Sequence, residues 1–267
     1  MRKIIITWVC ILAFTSLFAQ APQGKITYQR TVKLVFSFAG MNGMEQEMPK
    51  TKTDNYTLVF GNHQSLWKQA ESGFDDEGGN FTSSNGAQVR IMVAGNNNVL
   101  FTDLAQKKTV EKKEFLGKIF IVDDSITNLQ WKITGDTKMI LNMPCMKATA
   151  IKLSKKVNMD MDNGKMTRTE VDDTAHIEAW FTTAIPESVG PAQFQGQLPG
   201  AILAMNINDG EQTFKAVQYD KEANLKDIKE PKGKNHYTAD DFKKERQKMI
   251  EEMNKNNQGG DRVIELH

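Results

Sequence analysis

Soft donor atoms are the first feature with chemical potential. The chain carries 14 methionines. Several cluster: Met41, Met44 and Met48; Met143 and Met146 on either side of Cys145; and Met159, Met161 and Met166. Thioether and thiolate ligands select Cu(I) over hard cations. A two-residue turn at Asn163-Gly164 would set Met161 opposite Met166, with Met159 on the same face as Met161. Met159, Met161 and Met166 are therefore the candidate metal ligands. The ordinary use of methionine is to fill irregular apolar surfaces, because its side chain is flexible. Cys145 would need a neighbouring base or positive field to become a nucleophile. His176 is the partner that strand order suggests. Cys145 follows Pro144 and precedes an apolar-alternating strand, where a buried inert thiol is the commoner outcome.

Carboxylate pairs at Asp75-Asp76, Asp123-Asp124 and Asp172-Asp173 invite an acid–base or calcium reading. Neighbours on a strand face opposite ways, so a pair in sequence is not a pair in space. Asp160, Asp162 and Asn163 could touch a cation, but the EF-hand order with its distal Glu is absent. No serine-hydrolase elbow, zinc-protease helix or P-loop pattern occurs. The sequence thus nominates no catalytic residue and no cofactor, and it points away from an enzyme. With 34 basic and 33 acidic side chains the net charge is +1, which argues against a nucleic-acid partner.

The elements that must position these residues begin with a leader. Residues 1–19 read as a cleavable signal peptide: Arg2 and Lys3, an apolar run of about 15 residues, then Leu17-Phe18-Ala19 at the cleavage positions. The run is shorter than the roughly 20 residues that span a bilayer. Gln20 stands where a lipoprotein needs cysteine, so lipidation is not expected. No later segment is long and apolar enough for a transmembrane span in the mature chain. Only Cys145 remains after cleavage, so the fold must be held by its core without an internal disulfide.

Residues 20–220 read as one antiparallel β domain. Ile26, Tyr28, Arg30, Val32, Leu34, Phe36 and Phe38 alternate along a long first strand. Further strands are expected at 56–60, 65–69, 88–93, 99–104, 109–122 (one or two), 129–133, 138–142, 145–153, 176–182, 202–208 and 212–219. Turn residues separate them, and Asn163-Gly164 is the strongest hairpin signal. The Gly, Ser, Asn and Asp content of 72–86 reads as a long loop. A charged linker at 221–237 leads to a C-terminal helix at 238–256, capped by Thr238 with Asp241 in the reciprocal position. Residues 257–267 read as a frayed tail. The fold class expected is mainly β: a single curved antiparallel sheet or half-barrel with a C-terminal α-helix. The long strands suit a shape like the lipoprotein-carrier fold, an analogy silent about ligand.

Between 131 and 219 an ordered series of motifs stands out: Trp131-Lys132-Ile133, Cys145-Met146-Lys147-Ala148, Ala179-Trp180-Phe181-Thr182, Ile185-Pro186, Gly190-Pro191 and Leu198-Pro199-Gly200-Ala201-Ile202. This series resembles the GLPGLI family, exported proteins of Bacteroidota named for their own motif. The resemblance implies a Gram-negative envelope as destination and carries no established activity. Two departures are visible. Gln197 intrudes before Leu198 and Ala201 replaces a leucine, and 155–173 reads as an enlarged hairpin. Proline fixes φ and glycine frees it, so the motif reads as a rigid loop between two strands. Phe194 and Leu198 would tuck against the sheet edge.

These readings converge on an exported, periplasmic or secreted, non-enzymatic protein of the cell envelope. Its curved sheet would enclose a lipid or other apolar ligand. Phe36, Phe38, Trp67, Trp131, Trp180, Phe181, Leu198, Pro199 and Gly200 are the candidate lining residues, although each taken singly has the character of ordinary core. Two alternatives stay open: a copper-binding protein using its clustered methionines, and a structural module that docks an envelope protein.

Overall fold

The computed structural model describes residues 22–39, 45–70, 80–82, 88–93, 98–162, 165–256 and 262–266, with side-chain detail over 22–33, 51–70, 98–153 and 171–252. The leader, Met41, Met44 and the Asn163-Gly164 turn lie outside these residues. In chain order the strands are β1 (Gly24–Ala39), β2 (Glu45–Gly61), β3 (Gln64–Gln69), β4 (Asn80–Thr82), β5 (Gln88–Val93), β6 (Val99–Asp103), β7 (Lys108–Phe115), β8 (Lys118–Ser125), β9 (Lys132–Ile140), β10 (Met143–Asp162), β11 (Lys165–Thr182), β12 (Ala201–Ile207), β13 (Gln212–Asp220), β14 (His236–Thr238) and β15 (Arg262–Leu266). The helix is α1 (Ala239–Asn256).

The architecture is mainly β, as expected: an open, twelve-stranded sheet with one C-terminal helix. Its order is β14-β8-β7-β6-β3-β2-β1-β13-β12-β11-β10-β9, and β4, β5 and β15 form a separate small sheet. Neighbours pair antiparallel except β14 on β8 and β15 on β5. The second of these places 262–266, within the tail expected to fray, along a strand.

The alternation in β1 sets the core. Ile26 and Tyr28 are fully buried. They pair across β1–β2 with Leu58 and Tyr56, and the same face continues through Trp67 and Leu100. On the other side it runs through Phe214, Met205 and Ala179. Seven adjacent strands, from β13 to β8, contribute side chains to one cavity. At about 4.8 Å per strand a flat array of that width would span roughly 29 Å. The sheet therefore wraps, and this face is its concave side.

The expectation failed locally at 129–142. Two strands were expected there, and the structure has one, β9. Gly135, at φ +88°, lies in the bulge that joins the two expected ranges into one strand, as glycine often does. The true reversal is at Leu141 (φ +47°) and Asn142 (φ +59°). A leucine in left-handed backbone is uncommon, and Asn142, the one turn-favouring residue there, falls at the end of the expected 138–142 strand.

The outer face has its own apolar cluster of Leu66, Phe101, Val110 and Ile121, with Ile228 of the charged linker packed on it. Lys108 holds the same linker through Glu230 at 2.8 Å. Helix α1 starts as expected: the Asp241 amide donates to Thr238 Oγ1 at 3.1 Å, and that hydroxyl donates to Asp241 Oδ2 at 2.8 Å. Phe242 and Met249 then bury against Phe115, Phe120 and Val122. Phe120 meets Phe242 edge-on, with centroids 5.2 Å apart.

Candidate functional site

A cavity of about 630 Å³ opens on the concave face. Four elements bound it: the wrapped sheet, the segment between β8 and β9 through Ile126, Thr127 and Leu129, the 183–200 loop between β11 and β12, and the N-terminal half of α1. Its floor is aromatic. Tyr56 stacks on Trp67 with centroids 4.9 Å apart at 7°, and Phe214 meets Trp67 edge-on at 6.0 Å. Such pairs add about 0.5–1.5 kcal/mol beyond burial and hold the rings in place.

The walls carry charge. Arg30 and Val32 continue the strand face that begins with Ile26 and Tyr28. Lys52 pairs with Asp54 at 3.6 Å and Lys113 with Glu111 at 3.1 Å. The Arg30 guanidinium lies 5.9 Å from the Tyr56 ring centroid and donates from Nη1 to the Tyr56 hydroxyl at 3.2 Å. Its Nε is buried without a hydrogen-bond partner.

The 183–200 loop fills the other end of the concave face. Ile185, Val189, Phe194 and Leu198 join the main core with Ile26, Tyr28 and Trp67. Phe194 and Leu198 thus pack on the sheet's face rather than its edge, because the wrapped sheet offers a concave surface to the loop. The Tyr28 hydroxyl donates to the Ile202 carbonyl at 2.6 Å, and burial pushes that phenol's pKa up. Internal bonds brace the loop: Ser188 Oγ to Leu198 O at 2.7 Å and the Gly196 amide to Ser188 O at 2.7 Å. Gly200 sits at φ +146°, and a Cβ there would run into the Thr182 carbonyl. Glu187 is buried and hydrogen-bonds His63 Nδ1 at 3.3 Å, while Ser65 Oγ donates to Gln195 Oε1.

Gln197, the apparent intruder in the motif, holds the wall together. Its Oε1 accepts from Trp131 Nε1 at 2.9 Å and from the Leu129 amide at 3.2 Å. Its Nε2 donates to Thr127 O at 3.0 Å and Gln193 O at 3.4 Å. One amide thereby pins the segment before β9 to the loop.

The candidate residues divide sharply. Trp67 lines the cavity, but Trp131, Trp180, Phe181, Leu198, Pro199 and Gly200 do not. Phe181 and Leu198 are core. Pro199 is exposed and Gly200 is buried. Trp180 lies on the outer face: Lys138 Nζ sits 3.9 Å from its ring centroid, and its indole donates to Glu178 at 2.8 Å. Burial pulls the Lys138 pKa down. The hydrogen bond from Lys147, 2.8 Å away, pulls the Glu178 carboxyl below its ordinary range. Phe36 and Phe38 lie on β1, with side chains outside the described residues.

The register pairs Met161 with Met166, as expected, and Met159 with Arg168. The side chains of all three lie outside the described residues. Met143 and Met146 pack against the main core. Cys145 is buried there too, its thiol 3.5 Å from the Met143 carbonyl, and burial raises its pKa. His176 pairs with Ile151 and is exposed, so the proposed Cys–His partnership does not form. Among the described residues no helix is long and apolar enough to cross a membrane.

Residues 131–204 match the family model described as "Protein of unknown function (Porph_ging)". The matched span begins at the tryptophan that Gln197 holds and ends inside β12, so it includes the whole loop. No curated protein sequence matches the chain. Two solved structures, of PNGF-II in the C2 and P21 space groups, share the fold with TM-scores of 0.50 and 0.52 and identities of 16% and 17%. The match covers 85% and 86% of this chain and 33% and 34% of those chains. This chain therefore spans about a third of their length. At that identity the likeness concerns the arrangement of strands alone.

Arg30 and Tyr56 are the site residues that sequence reasoning missed. The signal for Arg30 was present: it is the one charge in the apolar alternation of β1. Nothing in the sequence said that the face around it would stay open.

Proposed function

We propose that this chain is an exported, non-enzymatic binding protein of the Gram-negative envelope, related to the GLPGLI family, that holds an amphipathic small molecule on its concave face. The supporting observation is the cavity of about 630 Å³ with an aromatic floor and charged walls. Its size falls within the roughly 300–1,000 Å³ usual for small-molecule sites. The mixed lining refines the expectation of a purely apolar ligand. A wholly apolar molecule would bury the wall charges without replacing their water, which is costly. A ligand with an apolar body and a polar head satisfies both surfaces.

Native mass spectrometry of freshly purified protein tests this reading. The expected result is a small-molecule adduct on the wild type that disappears in Val32→Trp, which fills the cavity from β1. An absent adduct, or one that survives in the filled variant, would count against the cavity as the binding site.

A further inference from the structure

We propose that the polar head of the ligand is a carboxylate, and that Arg30 is the residue that reads it. The inference rests on the cavity being the binding site. Five basic side chains line the cavity, Arg30, Lys52, Lys113, Lys152 and Arg246, and Arg30 is the one that sits on the aromatic floor, over Tyr56. It faces Asp54 directly across the β1–β2 ladder, so an ion pair between them would be the simple arrangement. Asp54 instead pairs with Lys52. Glu111, further along the same face, pairs with Lys113, and Asp124 accepts the Ser125 amide at 2.7 Å. Arg30 is left with a neutral partner, the Tyr56 hydroxyl at Nη1, and with a buried Nε that bonds to nothing.

A buried donor without a partner is costly, and native structures rarely keep one without a reason. A carboxylate bonds a guanidinium in a two-pronged fork through Nε and Nη2, the edge that Tyr56 leaves free at Arg30. Nε is closed to solvent here, so binding would turn this edge toward the cavity. Tyr56 orients the group by occupying Nη1 and keeps its ring beneath the charge. A carboxylate seated on the Nε edge would place its attached carbon chain against Tyr56, Trp67, Leu100 and Phe214. Those residues line the same cavity. The aromatic floor and the unmatched guanidinium thus specify one ligand class: an organic acid with an apolar body.

Tryptophan fluorescence titration decides it, with dodecanoate, dodecanol and dodecyltrimethylammonium as probes, each below its micelle concentration. The wild-type protein is expected to bind dodecanoate at least tenfold more tightly than dodecanol, with dodecyltrimethylammonium weakest. Arg30→Met should lose the preference for dodecanoate and bind dodecanol as the wild type does. Arg30→Lys should keep part of the preference, since the charge remains and the fork is gone. Equal wild-type affinity for dodecanoate and dodecanol would overturn the carboxylate assignment and leave the cavity reading intact. Binding of none of the three would overturn both. The wild-type comparison stands on its own if a variant fails to fold.

Discussion

The two ends of the concave face are built from the same strands and end differently. At Ile26 and Tyr28 the face is sealed: the 183–200 loop brings Ile185, Val189, Phe194 and Leu198 down onto it. At Arg30 and Val32, the next two positions on the same face of β1, the loop and α1 border the face without filling it, and a cavity remains. The loop's backbone, braced by its own hydrogen bonds and by Gly200, decides where filling stops. Alternation along a strand assigns residues to a face. It does not say whether the face will be packed or left open.

Breaking the sealed end should have the largest effect. Gly200→Ala forces a side chain into left-handed backbone and against the Thr182 carbonyl. A loss of about 3 kcal/mol or more is expected in urea denaturation, from strain and overpacking together. A variant within about 0.5 kcal/mol of the wild type would mean that the loop is not rigid there. Loosening the boundary between the ends should cost less. Gln197→Leu keeps the volume but strands the Trp131 indole and the Leu129 amide, for about 1–2 kcal/mol. It should also weaken dodecanoate binding, because Gln197, Thr127 and Leu129 form one wall of the cavity. Unchanged binding with lowered stability would make Gln197 a brace of the fold only.

The smallest effect is expected on the outer face, at Glu178. Its folded pKa is depressed by Lys147, so its contribution is present above the ordinary carboxylate range. It is lost as pH falls through the depressed value. Thermal unfolding should show that acid-side loss in the wild type and not in Glu178→Gln. The difference should be about 2 °C or less, because partly exposed ion pairs contribute little. Identical acid-side profiles would show the pair to be energetically silent, sharpening the contrast with the concave face.

The strands whose residues alternate cleanly were legible, and so were the Met161–Met166 register and the Thr238 cap. Each follows from local rules: period-two burial, the two-residue Asn-Gly turn, and a hydroxyl that accepts an amide at a helix start. The turn at Leu141 was not, because leucine carries no preference for positive φ. The pairing of Cys145 with His176 failed because register set His176 opposite Ile151. Leu198, Pro199 and Gly200 were chosen for their place in the motif, and the aromatic lining candidates for size and aromaticity. Those criteria find Trp67, and they equally select Phe181, whose side chain the loop end of the core consumes.

The sequence alone determined the β class, the face that each residue of β1 occupies, the helix and its cap, and the presence of a proline- and glycine-shaped loop. All of these depend on neighbours a few residues apart. Curvature of the sheet was also expected from its long strands; only the tertiary structure decided that the loop covers one half of the concave face, and that Asp54 turns to Lys52 and leaves Arg30 with a neutral partner. Those outcomes depend on which distant segments compete for the same surface. Gln197 belongs to both accounts: in the sequence it is one polar residue interrupting a motif, and its meaning appears only when Thr127, Leu129 and Trp131 arrive within reach of its amide.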